Sequence, residues 1–265
     1  MPKKLQRLKT DISLSKLTGL SLLLVTGIST SVFAQEEELQ DLSLNGFASI
    51  SSQIRSKGIS LTDEKVGYML NLNLAHKSGV YGSVYSYNLD GAGSFGGEDI
   101  ELDYLLGYRK DVLSVSTDVG VGLYTFPGTN GFTFSEFYLS GSKEIQGINT
   151  TVGLMYMPER KSVGNNDKIY SFIDLAKPIT TLPITIKAHL GYTQGEGNIY
   201  AGPTGEYLDY GVGIDYEWKN FIFNTEYIGT NIDKSKADEF FNIPNAKKGG
   251  DIVDHTLVAS ITYLF

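Results

Sequence analysis

Cysteine is absent from the 265-residue chain, and so are the long apolar runs of helical membrane proteins. Without cysteine, the chain has no disulfide bridges and no thiolate metal sites. After residue 34, no apolar run reaches the roughly 18 residues that indicate a membrane-spanning helix. The chain contains only 1 Trp and 3 His, but 17 Tyr, 13 Phe and 30 Gly. This composition favours β-strands joined by glycine-containing loops.

The first 34 residues have the order of a secretory signal peptide. The start carries the basic residues Lys3, Lys4, Arg7, Lys9 and Lys16. An apolar stretch covers residues 17–28, and Val32-Phe33-Ala34 suits cleavage after a small residue. The alternative is a helical membrane anchor, but that needs about 20 apolar residues and this stretch is shorter. We therefore expect a signal peptide at residues 1–34 and a mature chain that begins at Gln35.

Acidic residues outnumber basic ones, and cleavage would increase the difference. It removes five of the 22 basic residues and one of the 30 acidic ones, which leaves 17 against 29 and a formal balance of −12. Nucleic-acid binding requires a basic surface. The composition therefore excludes nucleic acid as a partner.

The last fourteen residues, 252–265, alternate between apolar and polar side chains. One face carries Leu257, Ala259, Ile261, Tyr263 and Phe265. An apolar edge strand in water would pair with other chains, whereas in a closed barrel it can face lipid. Many bacterial outer-membrane barrels end in such a strand with a final Phe, and this tail resembles theirs. We therefore expect the barrel-assembly machinery to recognise the strand that ends at Phe265.

Twelve segments of about ten residues lie between turn signals, which is the length of a tilted membrane-spanning strand. They are residues 44–54, 66–76, 80–88, 98–109, 112–124, 134–144, 148–157, 168–177, 184–193, 207–218, 221–229 and 252–265. The junctions alternate between short turns and longer loops rich in Gly, Asn, Asp and Pro, as in outer-membrane barrels. The sequence predicts an all-β fold, a transmembrane antiparallel barrel of about 12 strands at residues 35–265. Its short turns are periplasmic and its long loops extracellular.

A soluble β-sandwich or lipocalin-like barrel is the alternative fold, because alternation alone does not say which face points inward. Residues 207–218 illustrate the choice. Their polar face is Asp209, Gly211, Gly213, Asp215 and Glu217, and their other face is entirely apolar or aromatic. Small polar residues suit a watery lumen, and aromatics near strand ends suit membrane interfaces. The transmembrane barrel is therefore favoured. Strand parity stays ambiguous in the first, sixth and eighth segments.

Three stretches resemble a known family. Residues 53–62 read Gln-Ile-Arg-Ser-Lys-Gly-Ile-Ser-Leu-Thr, residues 76–84 read His-Lys-Ser-Gly-Val-Tyr-Gly-Ser-Val, and residues 100–108 read Ile-Glu-Leu-Asp-Tyr-Leu-Leu-Gly-Tyr. They resemble the TorF family of proteobacterial porins, whose members have similar first-loop, turn and fourth-strand motifs. Here a Ser-Lys pair separates Arg55 from Gly58, and Val80 replaces an aromatic residue. The resemblance implies an outer-membrane location and no particular solute.

Motifs of soluble enzymes are weak or missing. Residues 91–96 match G-x-G-x-x-G, but an alternating strand follows where a dinucleotide site needs a helix. No G-x-S-x-G or H-E-x-x-H motif occurs. An outer-membrane phospholipase would need a Ser–His pair, for which only His76, His189 and His255 are available. We therefore expect no enzyme activity, no cofactor and no metal site. The outer-membrane phospholipase is kept as the alternative function.

Charged residues on the non-lipid parity are candidates for the pore lining, because a charge facing lipid is costly. The candidates are Glu101, Asp103, Arg109, Asp118, Lys187, His189, Asp209, Asp215, Glu217 and Glu226. Acidic residues predominate, and acids lining a narrow channel favour cations. We expect Asp209 and Asp215 to face Glu226 as an acidic patch. Alternatively, the acids pair with Arg109 and Lys187 and brace the barrel.

The sequence therefore predicts a porin-like channel of the outer membrane for passive diffusion of small hydrophilic solutes, with a weak preference for cations. Lipid and lipopolysaccharide are its expected surroundings. The alternatives are a phospholipase-like barrel enzyme and a structural or adhesive barrel without conductance. Phe240 and Phe241 in the last long loop either plug the mouth or anchor the loop.

Overall fold

Twelve antiparallel strands form a closed barrel in the computed structural model, which describes residues 41–94, 97, 99–129 and 131–265. The first strand (Leu42–Ser51) pairs with the strand Gly67–His76 on one side and with the last strand (Thr256–Leu264) on the other, which closes the ring. The all-β fold and the count of about 12 strands are confirmed. The expected signal peptide lies outside the described residues. No helix in the described part of the chain is long and apolar enough to cross a membrane.

The strands follow one another around the ring in chain order, apart from a small hairpin of β2 and β3. They are β1 (Leu42–Ser51), β2 (Arg55–Ser56), β3 (Ile59–Ser60), β4 (Gly67–His76), β5 (Val80–Asn88), β6 (Ile100–Val112), β7 (Val115–Thr125), β8 (Phe134–Ile145), β9 (Ile148–Met157), β10 (Lys168–Ile179), β11 (Ile184–Gln194), β12 (Glu206–Trp218), β13 (Phe221–Thr230) and β14 (Thr256–Leu264). Short turns join the strands at one end and long loops at the other, the asymmetry of periplasmic turns and extracellular loops.

The last strand is shorter than predicted, because it begins at Thr256 and not at residue 252. The loop before it contains two short helices, α1 (Lys234–Phe240) and α2 (Gly249–Val253). Ile252 and Val253 belong to α2 and are buried with Ile232 and Ala237. These apolar side chains pack within a folded loop, so they do not contribute to the lipid-facing surface of the last strand.

One predicted turn is also displaced. The sequence suggested a turn at Lys110-Asp111, but these residues continue β6 and pair with Thr117 and Ser116. The chain reverses at Leu113 and Ser114, whose φ angles are +51° and +64°. A two-residue hairpin turn with both φ angles positive normally contains Gly or Asn. Leu-Ser carries no such signal, which explains the error.

The outer surface of the barrel is apolar. Side chains at alternate strand positions point outward, and Leu106, Val212 and Leu257 are each about 60% exposed. Trp218 and Phe221 stack at the short-turn end, where aromatic residues of membrane barrels meet the lipid interface. This surface faces hydrocarbon, and the closed ring pairs every strand edge as a bilayer requires. The barrel therefore spans a membrane.

A closed hydrogen-bond ring in lipid is expected to resist detergent at room temperature. We expect folded protein in dodecyl sulfate to migrate faster than boiled protein on a gel, because the unboiled barrel stays compact. The measurement is a comparison of heated and unheated samples of one preparation. Identical mobility of the two samples would contradict the barrel.

Tyrosines and small residues fill part of the periplasmic half of the interior. The hydroxyls of Tyr81 and Tyr138 are 2.7 Å apart, and Tyr81 donates to Asp118 Oδ1 at 2.9 Å. Gly107 and Gly120 leave room for these rings, since a Cβ on either would overlap a tyrosine hydroxyl. The lumen thus combines bulky aromatic rings with buried charges.

Candidate functional site

The first long loop, residues 52–66, folds into the extracellular mouth of the barrel. Its strands β2 and β3 form what we call the L1 hairpin, residues 55–60. Gly58 lies near the tip with a φ of +79°. A Cβ at Gly58 would meet Thr230 Cγ2 at 2.5 Å and Asp209 Cβ at 3.0 Å, so the tip presses against the wall formed by β12 and β13. The L1 hairpin therefore narrows the lumen.

Buried hydrogen bonds hold the L1 hairpin in place. Arg55 Nη1 donates to the carbonyl oxygen of Gly58 at 2.7 Å and to that of Asp254 at 2.8 Å. Its Nε donates to Gln53 Oε1 at 3.0 Å. Burial lowers the pKa of the Arg55 guanidinium to about 10, partly offset by the nearby Glu64 carboxylate. Arg55 thus stays charged at neutral pH and links the hairpin to the last long loop.

Lys57 extends from the L1 hairpin to charged side chains on the barrel wall. Its Nζ lies 3.2 Å from Glu136 Oε1 and 4.9 Å from the centre of the Tyr170 ring. Glu136 on β8 also pairs with Lys168 on β10, at 2.8 Å from Nζ to Oε1. We call Lys57, Glu136 and Lys168 the lysine–glutamate cluster. The side chains of Glu136 and Lys168 are only 3% and 2% exposed, so this ion pair is shielded from water.

A cavity lies beside this cluster, with a volume of about 700 Å³ that includes space open to solvent. Its charged lining residues are Lys57, Glu101, Glu136 and Lys168. The aromatic lining residues are Tyr87, Tyr124, Phe134, Tyr200, Tyr207 and Phe241. The rings of Tyr124 and Phe134 stack with centroids 4.6 Å apart, and Tyr200 packs on Phe134 at 4.7 Å. The cavity combines apolar walls with a few charges.

The ten pore-lining candidates all lie at inward-facing strand positions. Most are buried, whereas Arg109, His189 and Glu217 are half-buried. Glu101 and Asp103 lie two residues apart on β6, in the extracellular half. Whether solutes pass these side chains remains a prediction.

Ion pairs engage several of these candidates. Arg109 and Asp118 face each other on β6 and β7, with Nη2 2.5 Å from Oδ2. Lys187 Nζ lies 2.9 Å from Asp215 Oδ1, and Asn224 Nδ2 donates to the same oxygen at 2.8 Å. These are the pairs that the bracing alternative requires.

His189 joins two carboxylates across neighbouring strands. Its Nδ1 lies 2.5 Å from Asp174 Oδ1, and its Nε2 lies 2.9 Å from Asp209 Oδ1. Tyr170 also contacts Nε2 at 2.9 Å and donates to Asp209 Oδ1 at 3.2 Å. Asp209 therefore interacts towards β10 and β11, and not towards β13.

The predicted acidic patch of Asp209, Asp215 and Glu226 does not form as expected. The register sets Asp209 opposite Thr230 and Asp215 opposite Asn224. Glu226 lies opposite Gly213 and covers the space beside it. Asp209 and Asp215 instead turn towards basic side chains on β11, because opposite charges attract in the poorly solvated interior.

Sequence reasoning missed Glu136 as a site residue and gave Lys168 no role. Glu136 lies in the sixth predicted strand, whose parity was ambiguous because Phe137 and Tyr138 place aromatics on both faces. One signal was available: Glu136 and Lys168 each lie near the loop end of their strand, where a charged side chain can reach the mouth. The first-loop motif also pointed to Arg55 and Gly58, although not to their inward fold.

Of the two roles expected for Phe240 and Phe241, the contacts of the pair support anchoring of the last loop. Phe241 lines the cavity and packs against the buried cluster of Ile232, Ala237 and Ile252. Phe240 is 42% exposed and touches Phe241 edge-on. The pair thus anchors the last loop, and the plug-like element is the L1 hairpin.

Residues 39–265 match the model of the family Gcw_chp, described as a bacterial protein of unknown function. The chain belongs to this family. Membership supports a bacterial origin and gives no activity, because the family's function is itself unknown. No curated protein matches the chain.

The barrel is similar to solved structures of outer-membrane porins. It aligns with the NanC porin at a TM-score of 0.50 and 10% identity, over 84% of this chain and 98% of that one. An outer membrane channel from Pseudomonas putida F1 aligns at a TM-score of 0.46 and 10% identity, over 89% and 99%. An anion-selective porin from Comamonas acidovorans aligns at 0.43 and 9% identity, over 84% and 99%. At such low identities the likeness to the NanC porin shows the fold alone.

The location follows from the fold and the surface together. A single-chain antiparallel barrel with an apolar outer band, short turns at one end and long loops at the other is the architecture of the bacterial outer membrane. The protein is therefore an outer-membrane β-barrel of porin-like fold.

Proposed function

We propose that the protein is a porin-like channel for the passive diffusion of small hydrophilic solutes, a function that also fits its resemblance to the TorF family. The observation that carries the proposal is the charged inner wall of the barrel. A barrel built only for stability can fill its interior with apolar side chains. The interior of this barrel contains at least three ion pairs. Replacing such pairs by well-packed apolar residues is often neutral for stability, so bracing alone does not require charges at these positions.

The two halves of the lumen differ in access to water. In the periplasmic half, polar lumen residues such as Asn45, Ser142, Asn149 and Asn224 are half-buried. In the extracellular half, the L1 hairpin and the rings around it leave most inward side chains buried. A 12-stranded barrel is intermediate between packed 8-stranded barrels and open 16-stranded porins. We therefore propose a narrow path whose limiting section lies at the L1 hairpin.

A hydrolytic enzyme is a weaker interpretation. His189 contacts carboxylates and a tyrosine, and His255 contacts Tyr210 and Asp254. Among the hydrogen bonds of the described residues, the Ser–His contact is that of Ser78 with His76 Nδ1, in an exposed periplasmic turn. A catalytic triad also needs a carboxylate on the other ring nitrogen. The described hydrogen bonds of His76 include none.

Bilayer recording tests the proposed function. Purified protein in a planar lipid bilayer is expected to give discrete ohmic conductance steps, because a water-filled lumen conducts ions at any voltage. Protein that is folded by the gel assay but gives no conductance steps would contradict the channel function. Esterase activity that a serine-directed inhibitor abolishes would instead support the enzyme alternative.

The proposed weak cation preference makes a separate prediction. Substituting Asp209→Asn, Asp215→Asn and Glu226→Gln together is expected to abolish it, because Lys187 and His189 then lose their acidic partners. Reversal potentials under a salt gradient measure the change. The triple substitution Glu159→Gln, Glu196→Gln and Glu239→Gln, at exposed positions outside the strands, is the control, with an expected small effect. An unchanged reversal potential in the lumen variant, or an anion preference in the original protein, would contradict the proposal.

A further inference from the structure

The cavity beside the lysine–glutamate cluster has the composition of a small-molecule site. Ligand sites typically have mostly apolar walls and a few well-placed polar groups. This cavity, about 700 Å³ including space open to solvent, has such walls and lies where the L1 hairpin meets the barrel. The cavity therefore lies in the extracellular half of the barrel, on the side from which outside solutes arrive.

Both signs of charge line the cavity. Lys57 and Lys168 share the single carboxylate of Glu136, which leaves one positive charge in excess on that side. Glu101 lines the same cavity from β6, beside Asp103. The Glu101 carboxyl group is hydrogen-bonded to Tyr87 and Asp103, and Lys57 acts on it electrostatically from the other side of the cavity. The cavity thus presents a ligand with ammonium groups on one side and a carboxyl group on the other.

Aromatic rings form the rest of the wall. Tyr124, Phe134 and Tyr200 lie in contact and present a continuous apolar surface between the two charged sides. Ring surfaces of this kind favour an apolar or aromatic body through stacking and the exclusion of water. A ligand that is only hydrophilic would leave this surface unused.

We propose that the cavity is a binding site for small zwitterionic solutes with an apolar or aromatic body, the chemistry of free amino acids and short peptides. The solute's carboxylate pairs with Lys57, close to the positive charge of Lys168, its ammonium pairs with Glu101, and its body lies against Tyr124 and Phe134. This proposal names a solute class for the channel and so rests on the proposed function. Binding itself can be measured without any conductance.

Calorimetric titration of the full chain in detergent tests the solute class. The four probes each contain one phenyl ring and differ in charge: phenylalanine, phenylacetate, phenethylamine and benzyl alcohol. We expect phenylalanine to bind about tenfold tighter than either singly charged probe, because only it engages both charged sides. Equal binding of all four probes, or no binding of phenylalanine at millimolar concentration, would overturn the proposal. If phenylacetate or phenethylamine binds as tightly as phenylalanine, the site does not select solutes that carry both charges, and the proposed solute class is wrong.

Substitutions then assign the two charged sides. Glu101→Gln is expected to weaken phenylalanine about tenfold and to leave phenylacetate unchanged. Lys57→Met is expected to weaken phenylalanine and phenylacetate and to leave phenethylamine unchanged. Glu239→Gln and Lys236→Met, exposed on α1, are matched controls with no expected effect. Each variant is first checked for folding by gel mobility, and the probe series on the unmodified protein decides the solute class independently.

The two proposals fail in distinguishable ways. Conductance steps without phenylalanine binding would contradict the proposed binding site and support the channel function. Phenylalanine binding without conductance steps would contradict the channel function and support a binding site on a closed barrel. If both are present, phenylalanine added on the loop side is expected to reduce the current, and Glu101→Gln is expected to relieve that block.

Discussion

Removal of the L1 hairpin is expected to raise single-channel conductance about two- to fivefold, because conductance follows the narrowest cross-section of a pore. The chain offers a clean excision, since Leu61 N donates to Ile54 O at 2.8 Å and the two residues already lie side by side. An Asn-Gly turn can therefore replace residues 55–60 and join the two ends. Single-channel recording of the excised and original proteins in one lipid measures the change.

A point substitution tests the same idea with less disruption. Gly58→Val adds a β-branched side chain at positive φ, in direct contact with the wall at Thr230. We expect it to displace the hairpin and to raise conductance in the same direction as the excision. Gly131→Val is the matched control, because Gly131 also has positive φ but an added Cβ would contact nothing within 4 Å. An unchanged conductance in both L1 variants would show that the hairpin does not limit the current.

The barrel could be predicted from the sequence because its lipid surface imposes a repeat of two on every strand. Strand β9 was predicted with its observed bounds, and all ten charged candidates lie at inward positions. These features depend on the local pattern alone. Charge also reports parity directly, since an ionised side chain at the lipid face would be costly.

The partners of those charges could not be predicted, because they depend on register and on loop conformation. Whether Asp215 meets Lys187 or Glu226 is decided by a stagger between β11, β12 and β13 that no single strand encodes. Lys57 reaches Glu136 only because the first loop turns inward, and 79 residues separate the two in sequence. The cavity is built from such contacts, so it was invisible without the structure.

Loss of the Glu136 carboxylate is expected to be the most destabilising single change in the site. Glu136→Leu leaves Lys168 buried without its anion, and breaking a buried ion pair typically costs about 3–5 kcal/mol. Lys57 is on a loop and can turn towards water, whereas Lys168 is only 2% exposed within β10. Denaturant unfolding in lipid vesicles measures the loss. Asp254→Asn, which breaks the exposed pair with Lys234, is the control and should cost about 1 kcal/mol or less.

A second substitution separates the penalty of a stranded charge from the loss of packing. The double variant Glu136→Leu with Lys168→Met replaces the pair by apolar side chains and is expected to regain most of the lost stability, since such replacements are often neutral. If the double variant stays as unstable as Glu136→Leu alone, the loss of stability comes from side-chain packing and not from an unpaired buried charge. A Glu136→Leu variant within about 1 kcal/mol of the original protein would mean that water reaches Lys168. Recovery of stability in the double variant would mean that the fold tolerates an apolar cluster here, so that the charges of Glu136 and Lys168 are not required for folding.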